Sequence, residues 1–231
     1  MMKKLIAGTV LGALVVLSQT GVAADKKGAE KSPAGRQLFE VEQDGRIGYI
    51  DAGGKVVVPV QFKKIRGNIA NGIVRVEQDG RWGYLESTGR VIPPRYEDAD
   101  DFSEGLARVK VNKQWAYIDR SGKEIIAPRF EEAGDFHEGM AKVRLDDRWG
   151  FIDRTGKLVI EPRYKDVDNF SEGLVRVKME SKWGFIDKTG KLAIEPRFSD
   201  ADSFKNGLAK VKIERKMGYI NKKGTVVWQE K

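Results

Sequence analysis

The stretch Trp183-Gly184-Phe185-Ile186-Asp187-Lys188-Thr189-Gly190-Lys191 decides how the rest of the chain is read. It returns almost unchanged at Trp149-Gly150-Phe151-Ile152-Asp153-Arg154-Thr155-Gly156-Lys157. With drift it stands again at Trp115-Ala116-Tyr117-Ile118-Asp119 and at Trp82-Gly83-Tyr84-Leu85-Glu86. Degraded copies occur at Ile47-Gly48-Tyr49-Ile50-Asp51 and Met217-Gly218-Tyr219-Ile220-Asn221. The six copies start 35, 33, 34, 34 and 34 residues apart. A fixed period of this size makes each copy one small structural unit that buries its apolar surface only against its neighbours.

Around the motif, each unit reads as three short strands. The opening strand is clearest in Leu106-Ala107-Arg108-Val109-Lys110-Val111, where Ala107, Val109 and Val111 alternate with Arg108 and Lys110. A period of two marks a strand with one buried and one wet face, the cations on the wet one. Later units keep it at Ala141, Val143 and Leu145, at Val175, Val177 and Met179, and at Ala209, Val211 and Ile213. After a tight turn comes the motif strand, with Trp and its partner aromatic on one face and Gly and Ile on the other. The Asp-Lys/Arg-Ser/Thr-Gly segment then turns the chain. Gly122, Gly156, Gly190 and Gly224 fall where a left-handed residue closes a hairpin, a conformation that disfavours any Cβ. The closing strand, as in Lys157-Leu158-Val159-Ile160, is apolar on both faces and is expected to be buried. It ends at Pro94-Arg95-Tyr96, Pro128-Arg129-Phe130, Pro162-Arg163-Tyr164 and Pro196-Arg197-Phe198, because proline has no donor for further pairing. An acidic loop leads to Phe-x-Glu/Asn-Gly and the next opening strand. Phe62, Tyr96, Phe130, Tyr164 and Phe198 are each 34 residues apart. The uneven motif spacing therefore reflects one residue extra between Phe62 and Gly72 and one fewer between Gly89 and Tyr96.

Trp-Gly-[Phe/Tyr]-Ile-Asp, then Gly-Lys, Pro-x-[Phe/Tyr] and Phe-x-x-Gly-Leu-Ala-x-Val, resembles the bacterial WG-repeat family, also called KWG repeats. The resemblance runs from Arg36 to Lys231, with Ile47 and Met217 departing from Trp and Ala116 from Gly. It implies a bacterial all-β repeat protein. The units fall at about 36–62, 63–96, 97–130, 131–164, 165–198 and 199–231. The expected fold is a tandem array of ~34-residue three-stranded antiparallel meanders, open and twisted or solenoidal, with a six-bladed propeller-like toroid as the alternative. Three strands per unit, and a chain that starts and ends in phase, favour the open form. Cation spacing favours a continuous meander. Direct stacking of opening strands would place the Arg108 and Lys110 row ~4.8 Å from its successors, whereas intervening strands separate them by ~14 Å, beyond the ~8 Å screening length.

Ahead of the repeats, Met1-Met2-Lys3-Lys4, the apolar run Leu5 to Leu17 and the small residues Val22-Ala23-Ala24 read as a secretory signal over 1–24, cleaved after Ala24. The run is too short to span a bilayer, which needs ~20 apolar residues. Residues 25–35 read as a disordered spacer. Export makes the product periplasmic or secreted, without a transmembrane segment in the mature chain. Losing Lys3 and Lys4 lowers the formal net charge from +8 to +6. The absence of Cys excludes disulfides, thiolate catalysis and Cys-held metals.

The recurrent aromatics Trp82, Tyr84, Trp115, Tyr117, Trp149, Phe151, Trp183 and Phe185 are expected to fill the space between units rather than to stack sugars. Ile47 and Met217 keep the bulk without the stacking ring. His137 is the only histidine and is expected at the surface, which leaves no second imidazole for zinc. The acidic loops (Glu97, Asp98, Asp100, Asp101; Glu131, Glu132, Asp135; Asp166, Asp168; Asp200, Asp202) lack an EF-hand pattern and are expected to partner neighbouring basic rows. Those rows, Arg108, Lys110, Lys142, Arg144, Arg176, Lys178, Lys210 and Lys212, are the candidates for binding a polyanion such as lipopolysaccharide or a cell-wall glycan. No catalytic, cofactor or metal site is expected. The expected role is a non-enzymatic envelope scaffold that binds another protein. Polyanion or glycan binding and an enzyme of unknown type are the alternatives, and nucleic acid is not an expected partner.

Overall fold

A computed structural model describes residues 37–69 and 72–231. The expected signal over 1–24 and the expected spacer over 25–35 lie outside the described residues. The fold is all-β: six small antiparallel sheets in tandem, one per motif copy. The fourth shows the plan. Its opening strand Met140–Leu145 pairs with the motif strand Arg148–Asp153, which pairs with the closing strand Leu158–Tyr164. A fourth, very short strand, Glu132–Ala133, pairs along the other edge of the opening strand. The first sheet has three strands and the other five have four.

That short strand alters the expected continuous meander. After Phe130 a single residue, Glu131, carries the chain into the next sheet, where its N–H already donates to Arg144 O at 3.1 Å. Adjacent units therefore do not share a sheet. Each closing strand ends as a sheet edge, and successive sheets pack against one another through their faces. Pro128, Pro162 and Pro196 stand near the ends of those edge strands, where a missing donor costs no ladder bond. The closing strands are accordingly not buried on both faces. In Leu158–Tyr164 only Ile160 and Tyr164 are buried, and Ile125 and Val159 reach solvent. An edge strand has a paired strand on one side only.

Two bulges shape the closing strand in four of the six units, as in the fourth. Ile152 pairs with Leu158 and Phe151 with Ile160, so Val159 is unpaired. Trp149 then pairs with Tyr164, leaving Glu161, Pro162 and Arg163 opposite Gly150 alone. This crowding explains the motif glycine: a Cβ on Gly150 would sit 2.4 Å from Ile160 O and 2.7 Å from Pro162 N. In the second unit Leu85 and Tyr84 pair with the consecutive residues Val91 and Ile92. The residue missing from that unit is thus the first bulge, which makes no ladder pair elsewhere and can be deleted without shifting the core.

The turns follow the chemistry expected of them. Asp146 and Asp147 link opening and motif strands with φ of 48° and 59°, and Asp44-Gly45 and Asp79-Gly80 do the same in the first two units. Two left-handed residues match the right-handed twist of the flanking strands. At the following turn, Asp153 Oδ1 accepts from Thr155 N at 2.9 Å, Thr155 Oγ1 at 2.6 Å and Lys157 N at 3.1 Å, and Gly156 takes φ 87°. Asp119 and Asp187 repeat this, and Asn221 accepts the two backbone bonds in the last unit.

Five apolar cores lie between six units. In one, Trp183, Phe185, Ile194 and Phe198 of the fifth unit meet Ala201, Phe204, Ala209, Val211 and Ile220 of the segment that follows. The ring of Phe185 stands edge-on to Phe204 at 4.9 Å and to Phe198 at 6.4 Å. Trp115 and Trp183 are buried, and Trp82 and Trp149 are half-buried against their cores. The first and last sheets share no strand, and the outward faces of both remain exposed, as in an open array.

Candidate interaction surface

The cations of the opening strands lie in the seams between sheets. Four of the five seams share a plan, with Arg75, Arg108, Lys142 or Arg176 at one position, and the first has Glu40 there. Arg108 stacks over Trp115 with its guanidinium carbon 5.0 Å from the ring centroid. It donates across the seam to the carbonyl of Ala133 in the next short strand, and it pairs with Asp100 at 2.8 Å and Asp135 at 3.2 Å. Arg176 repeats this with Trp183 at 4.7 Å, the Ala201 carbonyl and Asp168 at 3.1 Å. Lys142 lies 5.3 Å from Trp149 and donates to Val167 O at 3.3 Å. Lys110 and Lys178 lie 5.5 Å from Trp115 and Trp183. Arg144 is ion-paired with Glu132, with Asp147 at 2.6 Å and with Glu131 at 4.0 Å. Lys210 and Lys212 belong to the last unit, and Lys210 is exposed. The expected acid-to-base partnership crosses between units where Arg75 meets Asp100 and Asp101 and where Arg108 meets Asp135, whereas Glu131, Glu132 and Asp168 pair with Arg144 and Arg176 of their own units.

These seams set the local electrostatics. Burial pushes the phenols of Tyr84 and Tyr117 well above the usual tyrosine range, and both hydroxyls donate to backbone carbonyls, of Asp100 at 2.7 Å and Gly134 at 2.6 Å. Burial also raises the Asp135 carboxyl, against the opposing pull of Arg108. Asp119, Asp153 and Asp187 are held below the ordinary aspartate range, first by the Ser121, Thr155 and Thr189 hydroxyls.

The Phe-x-Glu-Gly loops have a role that the sequence reading passed over. Glu104 accepts from Gly139 N at 2.9 Å, Glu138 from Gly173 N at 2.9 Å, and Glu172 from Gly207 N at 3.0 Å. Lys188 pairs with Glu138 at 3.2 Å and Lys222 with Glu172 at 3.1 Å. Glu104, Glu138 and Glu172 all have positive φ, between 50° and 54°, each followed by a left-handed glycine. The signal was present as an acid repeated before an invariant-looking Gly, but its partner lies a whole unit away. His137 is half-buried in one of these loops, bridged to Met140.

Outside the seams, the surface is repetitive. The unpaired bulge residues Ile125, Val159 and Val227 are exposed at equivalent places on the closing strands. A shallow, mixed-charge cleft of about 330 Å³ lies between the first two units, lined by Arg46, Lys63, Glu77 and Asp79. Glu77 is buried there, held by Gly80 N at 2.8 Å and Lys64 at 3.1 Å. Among the described residues, no cluster of three or more His, Asp or Glu is placed to hold a metal, and no helix is long and apolar enough to cross a membrane.

None of the curated proteins matches the chain. Among solved structures, the crystal structure of a eukaryotic initiation factor is similar at 12% identity and TM-score 0.51, over 92% of this chain and 67% of that one. Hsv2p of Kluyveromyces lactis is similar at 10% identity and TM-score 0.45, over 73% and 63%. PorZ, a bacterial surface component of the type-IX secretion system of Porphyromonas gingivalis, is similar at 10% identity and TM-score 0.39, over 85% and 31%. The chain thus spans between about a third and two-thirds of the length of these structures. At such identities the likeness concerns the fold alone. The family model described as WG containing repeat matches five times, at residues 47–82, 83–115, 115–149, 149–183 and 183–216, and the chain belongs to that family.

Proposed function

We propose that the protein is an exported, non-enzymatic scaffold of the bacterial envelope that presents its repeated outer surface to another protein. The observation that carries this reading is a division of labour among repeated residues. The motif Trp, the opening-strand Arg and the loop Glu are engaged by the next unit, as at Trp183, Arg108, Arg176, Glu138 and Glu172. The bulge positions at Ile125 and Val159 are instead exposed and recur at the repeat spacing. A linear array suits an extended macromolecular partner, since each unit adds the same small contact. Strand addition is not the mode, because bulges and prolines blunt the edges of the closing strands.

The test is capture from an envelope extract by wild type and by an Ile125→Glu/Val159→Glu variant. A protein retained by the wild type and lost by the variant supports the reading. Equal retention by both, or retention of nothing, overturns it. Binding of a polyanion through the opening-strand rows would have to release Arg108 and Arg176 from acids and carbonyls that already hold them. That makes it the weaker alternative, and salt-sensitive retention on heparin is its test.

A further inference from the structure

Each inner seam joins two unlike faces. The face bearing the motif aromatics of one unit receives the opposite face of the next, where Val76 and Leu85, or Val211 and Ile220, project. The turn glycine of the incoming unit is part of the fit. A Cβ on Gly122, Gly156, Gly190 or Gly224 would lie 3.0–3.3 Å from an isoleucine of the preceding closing strand.

The two ends of the array each retain the strand face of one side of that seam; among the described residues, the first unit has no short strand or Phe-x-Glu-Gly loop ahead of it. In the first unit Phe39 is 36% and Val56 56% exposed, and Val41 and Ile50 are only half-buried. Their counterparts Val74, Val76 and Leu85 are 2% exposed or less. The first turn glycine, Gly54, has the same left-handed φ of 80° yet meets no atom within 4 Å. In the last unit Leu208, Tyr219 and Trp228 are 39%, 38% and 55% exposed, whereas Leu174, Phe185 and Ile194 are 9%, 0% and 4%. The terminal units of repeat arrays ordinarily turn a polar face outward. Both ends here expose apolar groups bulkier than those of the inner units, with Lys210 and Lys212 beside them on the last unit. Phe39 stands where others have Val74, Ala107 and Ala141. Trp228 pairs with Tyr219 where the second to fifth units have isoleucine and the first has Val58.

We propose that the two ends meet between molecules. The last unit of one copy seats the first unit of a second copy, head to tail, in a repetition of the inner seam. A second copy is favoured over an unrelated partner because both halves of one interface stand on the same chain. The packing of these strand faces on one another is already realised five times within it. Such a contact is heterologous, so it grows into a chain of molecules or closes into a ring.

The experiment is complementation between Phe39→Asp and Trp228→Asp in the full chain, with molar mass read by light scattering or sedimentation. Wild type forms species of at least twice the monomer mass, rising with concentration, and each variant alone is a monomer with an unchanged β-sheet circular dichroism spectrum. An equimolar mixture of the two variants restores a species of twice the monomer mass and no larger, because each retains one intact face. A wild type that stays monomeric at about 100 µM, a concentration at which even weak contacts of ~10⁻⁴ M dissociation constant are populated, overturns the proposal. So does association that survives in either variant alone, which would place the contact in the N-terminal segment or elsewhere, and so does a mixture that stays monomeric.

Discussion

Truncating Phe185 and Tyr219, which occupy one position of the repeat in two environments, separates a packing role of the motif from a surface role. Phe185 is fully buried, with Phe204 and Phe198 edge-on to it, and its removal opens a cavity inside the seam between the fifth and sixth units. A buried Phe→Ala change costs about 3–5 kcal/mol. Tyr219 is 38% exposed and touches mainly Trp228, 6.1 Å away centroid to centroid, so Tyr219→Ala is expected to cost about 1 kcal/mol or less. Because each unit contacts only its neighbours, the loss at Phe185 is local. It should uncouple the last unit from the first five and broaden the unfolding transition. The assay is urea unfolding followed by tryptophan fluorescence, with amide exchange resolved along the chain, at a dilution where the protein is monomeric by mass. Phe185→Ala should raise exchange in 199–229 well before 38–130 is affected. Equal costs for the two variants, or a uniform loss of protection, would refute the claim that unit-to-unit burial is what the motif aromatic supplies.

Three further outcomes follow from the same geometry. Gly150→Ala should destabilise by about 1–3 kcal/mol, since its Cβ meets backbone at 2.4 Å and the bulged strand must shift; a melting temperature unchanged within a degree would contradict this. Arg215 has φ 75° at a turn position that is glycine in the first two units, so Arg215→Gly should stabilise by up to about 1 kcal/mol, read from the urea midpoint. Asp119, Asp153 and Asp187 are depressed below the ordinary aspartate value, so the stability they contribute is present above about pH 4 and is lost as pH falls through their lowered range. Replacing all three by Asn, which already serves this turn at Asn221, should flatten the acid limb of melting temperature against pH; an unaltered limb would show that these turns do not titrate with folding.

Much of this architecture is legible in one dimension because the repeat multiplies every signal. The Trp-Gly-Phe-Ile-Asp period, the two-residue alternation of the opening strand and the glycine of each turn are local requirements, so they identify strands, turns and units without reference to contacts. The packing role of Trp115 and Trp183 was also readable, because Ile47 and Met217 substitute for bulk alone. What a local pattern could not carry was the assignment of unit-to-unit partners. The Glu138 carboxylate and Gly173 N–H are 35 residues apart, and the Arg108 guanidinium and the Ala133 carbonyl 25. Cations that alternate with apolar residues read as a wet face, yet Arg108 and Arg176 are enclosed because the next sheet folds over that face. The closing strand, apolar on both sides, read as buried, yet it forms an edge because one residue, Glu131, takes the chain out of the sheet. Sequence alone therefore determined the unit, its strands and its number of copies, since backbone conformation and apolar periodicity are set within a few residues. Only the tertiary structure decided that the units form discrete sheets stacked face to face, and which polar groups are consumed in the seams. It also decided that Phe39 and Trp228 stay uncovered at the ends, since burial depends on which neighbour is present rather than on the residue itself.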